Sequence, residues 1–430
     1  MIKLYTPQIL LDGKPVEKIT AFLFPKGGNE NPKTLLANAG KSFQGSIVLG
    51  MGFTFDDTND NATPIATMHQ LIAENPKNQD RIFPYIGGEE VNSSPTHSHH
   101  RYVINFGEMS EDEAREYLDL MAIVEEKVKP KRLQDNRASY RNHWWQYAEK
   151  RVDLMKAIVQ CDRVLVISRV GQHCAFSLLQ SGLVYSESLV IFPFQTYSAF
   201  CTLQSRLHEI WARFFGSSLE DRLRYTPSDG FETFPFPEGL MNEEVKSEKE
   251  ENTILNSAFS ILNSTGEAYY TYRAQLIINN NQRLTTTYNR FHDPQETDPA
   301  ILKLRELHSK IDQAVLSAYG WHDIDTTCEF ILDYEEEEDT TSNRKKPYRY
   351  RWPQVTHDEV LARLLDLNQK RYEQEISGGT SKGGKKKGEA GKKKAIKPNT
   401  SKGSIPQTDK QIELIPGPIE QLDVWSHLDS

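Results

Sequence analysis

The stretch that most constrains this chain runs from Leu207 to Pro237, LHEIWARFF followed by GSSLEDRLRYTPSDGFETFPFP. An amphipathic helix is predicted over Ala199–Phe215, and Gly216 is a sound place for it to stop. Basic residues, turn formers and aromatics then follow within a few positions of one another. This polar-apolar seam just after a helix needs a packed domain around it.

At 430 residues the chain is long enough for two or three domains with their own cores. A hydrophobic content of 37% and an aromatic content of 10% suit a soluble globular protein. No run approaches the ~18 apolar residues needed to cross a bilayer. The start, MIKLYTPQIL, has neither the charged region nor the apolar region of a signal peptide. Cys161, Cys174, Cys201 and Cys328 lie far apart with no C-x-x-C, which suggests neither a zinc site nor a disulfide framework. A cytoplasmic protein with reduced thiols and no membrane partner is expected.

A net charge of −9 argues against a polyanionic partner only on average. Between Pro130 and Tyr225, 13 Lys and Arg stand against eight acids, whereas Glu238–Glu251 holds six Glu and Glu335–Asp339 reads EEEED. The local field, not the total, decides where nucleic acid docks.

Along the chain, Asp12-Gly13 predicts a hairpin turn, and Ser42–Phe55 reads as extended. A short helix is expected around Met68–Ala73 and a strand at Arg101–Phe106. Ser110 with Glu113 forms a capping box opening a helix that Pro130 stops. A further helix is expected over Asn142–Gln160, then strands at Asp162–Ser168 and Leu183–Phe192. From Met241 the pattern turns helical, with Pro299–Tyr319 closed by Gly320 and another helix from Thr356. The fold class expected is therefore α+β, a mixed domain followed by a mostly α-helical region. Residues 377–403 collapse to Gly, Ser and Lys, a flexible basic tail.

No catalytic site is legible. Gly50-Met51-Gly52 lacks the further glycines, helix and distant acid of a cofactor loop. There is no Pro-Pro dipeptide for an adenine methyltransferase loop and no Pro-Asp dipeptide for a metal-dependent nuclease, and the G-x-S-x-G run at Gly379–Gly383 falls in the Gly/Ser/Lys stretch, not on a strand-to-helix elbow. His97, His99 and His100 lie in a Ser/Pro-rich loop without Cys or carboxylate at ligand spacing, so a polar loop is the better reading and no metal is expected. Trp144, Trp145 and Trp211 read as core. Binding fares better. RVGQHC at Arg169–Cys174 offers Arg, Gln and His side chains able to meet base edges in a major groove. Arg206, Arg213, Arg222 and Arg224 surround the Gly216 turn and suit phosphates. An ordinary exposed loop and a helix with a basic outer face account for the same residues if no family is invoked.

Several ordered blocks carry a resemblance: SFQGSIVLGMGF at 42–53, RIFPYIGGEEVNSSP at 81–95, HRYVINFGEMSEDEAREYLDLMAIVEEKVKPKR at 100–132, RVLVISRV at 163–170 and the segment 203–237. LTTTYNRFHDP at 284–294, ILKLRELHSKIDQAVLSAYGW at 301–321 and residues 350–375 continue it. Over most of 40–376 the chain resembles the C-terminal half of MmeI-like type IIG (IIL) restriction-modification enzymes, adenine-specific DNA methyltransferases that flip their target base. The resemblance implies a junction segment at 1–60, a DNA target-recognition domain at 61–237 and a helical region at 238–376, while composition sets a linker at 377–403 and leaves a tail peptide at 404–430 apolar enough to dock. It further implies double-stranded DNA as partner, with Arg169, Gln172 and His173 reading bases. Because no cofactor or target-base motif is present, S-adenosylmethionine and catalysis are expected on a separate methyltransferase chain. A truncated remnant and a stand-alone DNA-binding protein stay open as alternatives.

Overall fold

The computed structural model describes residues 9–11, 13–24, 27–219, 222–242, 253–332 and 348–379. The Lys-rich and terminal segments from 380 onward, and the acidic run Glu335–Asp339, lie outside them. Strands β1 (Ile9–Leu11) and β2 (Lys14–Val16) pair antiparallel across Gly13, whose φ of +74° suits a tight hairpin turn. The stretch 42–55 is not one extended segment. β3 (Phe43–Gln44) and β4 (Thr54–Phe55) are separated by a 3-10 turn at Met51–Phe53. A Cβ at Gly52 would meet the Lys127 Cβ at 2.4 Å, so the glycine lets this turn lie against a helix.

Helix α1 (Ile65–Glu74), strand β5 (Ile82–Ile86), helix α2 (Gly88–Ser93) and strand β6 (Arg101–Ile104) come next. The capping box is present: Glu113 accepts from the Ser110 backbone N–H at 2.7 Å and starts α3 (Glu111–Ala114). α4 (Leu118–Lys127) continues the run. Pro130, expected to stop the helix, instead sits in the first turn of α5 (Lys129–Arg132), where a missing N–H costs nothing. The helix expected over Asn142–Gln160 survives only at its ends, as α6 (Ala138–Asn142) and α7 (Val152–Ile158). Glu149 is drawn into a bridge with Ile47 and Arg151 takes φ +56°, which no helix interior accommodates. Trp144 and Trp145 are nevertheless buried, as their pattern requires.

β7 (Arg163–Ser168), β8 (Val170–Gly171), β9 (Phe176–Gln180), β10 (Val184–Tyr185) and β11 (Leu189–Phe192) precede two helices where one was expected. α8 (Tyr197–Gln204) and α9 (Arg206–Phe215) divide at Ser205, whose hydroxyl accepts the His208 N–H and caps α9. β12 (Ser217–Leu219) and β13 (Arg222–Arg224) complete this part. Three small sheets result, ordered β10-β5-β6-β4, β3-β11-β7-β9 and β12-β13-β8. All neighbours are antiparallel except β10 with β5.

Beyond residue 252 come α10 (Thr253–Asn279), α11 (Leu284–Phe291), α12 (Pro299–Ala318), the hairpin β14 (Glu329–Leu332) with β15 (Tyr348–Arg351), and α13 (Gln354–Gly379). Gly320, at φ +72°, lies just past α12, as expected. The fold is α+β. A core passing through β7, β9, β11, α8 and α9 is closed by Tyr269, Tyr288, Leu304, Ile311 and Leu364 from these later elements. α10 comes close enough to α8 for this because Gly266 has no side chain: a Cβ there would stand 2.3 Å from the Tyr197 carbonyl oxygen. A second cluster, around Phe53, Phe106, Met121, Trp144 and Trp145, lies with the β4–β6 strands. Among the described residues no helix is long and apolar enough to cross a membrane.

Candidate nucleic-acid interface

Most of the residues singled out from the sequence gather at the three-stranded sheet β12-β13-β8. In a strand, positions two apart share a face. Arg222 and Arg224 are accordingly both exposed, while Leu223 between them is buried at 5% exposure. β13 pairs with β8 through Arg224 opposite Val170 and Leu223 opposite Gly171. That register brings the Arg169–Cys174 loop beside the two arginines, although some fifty residues of chain separate them. Arg169 is half-buried and anchored through its backbone, its N–H donating to the Ser188 carbonyl and its own carbonyl accepting from Tyr225, both at 2.8 Å. The Gln172 side chain is exposed. Arg213, on α9, donates to the Gln172 carbonyl at 3.0 Å and to Glu209 at 2.8 Å. Arg169, Gln172, Arg213, Arg222 and Arg224 are thus brought into one neighbourhood, and Arg222 and Arg224 have no ion pair among the described residues.

Two of the expected contacts face inward. Arg206 is 3% exposed and bound to Asp312 on α12, its Nη1 donating at 2.6 Å and its backbone N–H at 2.9 Å. A guanidinium committed in this way is not available to a phosphate. His173 is turned back onto α11: its Nε2 lies 2.7 Å from the Asn289 amide oxygen, and its ring stacks on Tyr288 at 5.6 Å and on His292 at 5.3 Å. Burial pushes the His173 imidazole down to about 4, so at neutral pH it is an uncharged anchor, not a base-reading cation. The loop presents Gln172 and holds itself by His173.

The positive excess of 130–225 is also partly spent inside. Arg132 is buried and donates to the carbonyls of Val48, Leu49 and Gln146. Arg163 donates to the Gln195 carbonyl beneath the Tyr197 ring, and Arg151 to that of Gly45. Burial raises the Glu209 carboxyl, but Arg213 and Arg349 outweigh it and hold the group at about 2. The carboxylate therefore fixes two guanidiniums at the base of the loop.

Four residues that sequence reasoning passed over shape this site: Glu209, Asn289, His292 and Arg349. Arg349, on β15, donates to the same Gln172 carbonyl as Arg213, at 3.0 Å, and stands 3.8 Å from Glu209. Nothing local marks it, because its partners are more than a hundred residues away. The one available signal was the alternation YRYR at 348–351, which puts Arg349 on a single face of a strand. Among the described residues no group of three or more His, Cys, Asp or Glu is arranged to hold a metal ion. His100 in the histidine loop lies 3.5 Å from Glu90, which Arg101 already occupies at 2.5 Å.

The family described as MmeI, target recognition domain, matches residues 31–238, a span that takes in the whole β12-β13-β8 sheet. Among solved structures, the chain is similar to the type IIL restriction-modification enzyme MmeI in complex with DNA, with a TM-score of 0.54 at 18% identity. That match covers 84% of this chain and 39% of MmeI, so the likeness is one of fold and the chain spans well under half the length of that enzyme. No curated protein matches the chain. The recognition domain as matched ends at residue 238, before Asn289, His292 and Arg349, although all three touch its loop.

Proposed function

We propose that this chain recognises a specific double-stranded DNA sequence as the specificity part of a type IIL-like restriction-modification system. The observation that carries the reading is the β8–β13 register, which sets the exposed Arg222 and Arg224 beside the Arg169–Gln172 loop. Arg169, Arg222 and Arg224 hold phosphates or base edges, Arg213 supports them, and Gln172 reads a base edge. A gel-shift salt titration tests it. Alanine at Arg222 or Arg224 should weaken binding to every duplex and reduce the salt slope by about 1, whereas alanine at Gln172 should cost about 1–3 kcal/mol of discrimination. Uniform effects of both kinds of substitution on all duplexes would exclude Gln172 as a reader.

In the same proposal, adenine N6 methylation belongs to a methyltransferase chain that binds S-adenosylmethionine. The support is that Ile9, Leu10, Leu23 and Leu36, all in the first forty residues, have exposed apolar side chains that a protein neighbour could cover. Labelled-methyl transfer by a mixture with a methyltransferase chain lacking its own recognition domain is the test. Transfer that is not restored, or that persists after Leu10→Asp with Leu23→Asp, counts against this arrangement.

A further inference from the structure

The loop that presents Gln172 is pinned at three consecutive residues, and most of the pins come from outside the matched recognition domain. The Gln172 carbonyl accepts from Arg213 and from Arg349, each at 3.0 Å. His173 is held by Asn289 and packs against the rings of Tyr288 and His292. The Cys174 carbonyl accepts from Gln204 at 3.0 Å. Arg349 and His292 are themselves tied together, because the Tyr350 N–H donates to His292 Nδ1 at 3.1 Å. β15 and α11 therefore act on the loop as one piece. Both guanidiniums make charge-assisted bonds to the Gln172 carbonyl, stronger and more directional than neutral ones, and Glu209 bonds to Arg213 at 2.8 Å while standing 3.8 Å from Arg349. The Gln172 side chain is left as the outward element of a loop whose backbone has little freedom.

We propose that Arg349, Asn289 and His292 are specificity-positioning residues: they set the conformation of the Gln172–His173 loop, and so which base edge Gln172 meets. This rests on the reading of Gln172 as a base contact. It extends that reading by making the helical region, and not the recognition domain alone, a determinant of the DNA sequence chosen. No contact of these three residues with DNA is required.

The test uses the full chain. A pool of randomised duplexes is selected for binding, and affinity for the enriched duplex is compared with that for a scrambled one. Arg349→Lys keeps a positive charge near Glu209 but loses the planar fork that spans Glu209 and Gln172, and Asn289→Ala removes the acceptor for His173. Each should lower the ratio of the two affinities about tenfold, with affinity for the scrambled duplex and the melting temperature unchanged. Reselection with either variant should relax the same base positions that Gln172→Ala relaxes. If Gln172→Ala erodes discrimination while both other variants keep it, the positioning role is overturned and the base contact stands. Equal loss on both duplexes together with a lower melting temperature also overturns it, as a plain folding effect. If Gln172→Ala leaves discrimination intact, the base contact fails and the positioning role fails with it.

Discussion

Arg206 and Arg224 come from one short block of sequence and meet opposite fates. Arg206 opens α9 and is buried against Asp312. Arg224 lies on β13 with its side chain exposed. Neither residue type nor local spacing separates them. The difference is set across the chain, by a carboxylate on α12 in one case and, in the other, by a position that no described element covers. Positive charge near a turn therefore says little about nucleic acid until the partner of each guanidinium is known.

The comparison is broken most directly at Asp312. Asp312→Ala strips the counter-charge from a buried arginine and should cost about 3–5 kcal/mol, read as a lower urea midpoint. If the midpoint hardly moves, Arg206 has another route to solvent and the contrast with Arg224 collapses.

Acid should expose the same interior. Burial pushes His208 down to about 3 and His308 well below its ordinary range, so both are neutral in the folded chain at any moderate pH. The unfolded chain takes up protons below about pH 6.5 and the folded chain does not, so stability falls as pH falls. Between pH 6.5 and 4.5 the loss should approach about 1.4 kcal/mol per pH unit for each such histidine. Urea midpoints that are flat over this window would show that the two rings reach water.

Packing gives a smaller effect. Gly266→Ala pushes a methyl group toward the Tyr197 carbonyl and should destabilise by about 1–3 kcal/mol, measured as a lower melting temperature. At the other extreme, Arg222→Ala and Arg224→Ala should leave stability within about 0.5 kcal/mol, since neither side chain is covered. A large thermal shift there would mean that β13 arginines hold structure and would erase the distinction.

Much of the architecture was legible from the residues. The hairpin at Gly13, the capping box at Ser110, the strand at Arg163–Ser168 and the helix ending before Gly320 all follow from local chemistry. The failures have a common cause. A helical pattern across 142–160 yields to a bridge between Glu149 and Ile47, and one helix becomes two where Ser205 finds a cap to make. The site was legible in the same uneven way. Arg222, Arg224 and Gln172 are exposed near one another, but the inward turn of His173 depends on Asn289 and His292, and that of Arg206 on Asp312. Such pairings have no signature at short range.

The shared carbonyl of Gln172 bears on where this chain can be cut and rejoined. Family likeness draws a boundary at residue 238, and a graft made there would carry Glu209, Arg213 and the loop into a new host. It would leave behind Arg349 and the α11 side chains that hold the other half of the clamp. The transplanted loop would then fold against whatever the host supplies. On the proposed reading of Gln172, the unit that fixes its loop is longer than the segment the recognition-domain family matches, and extends at least to β15.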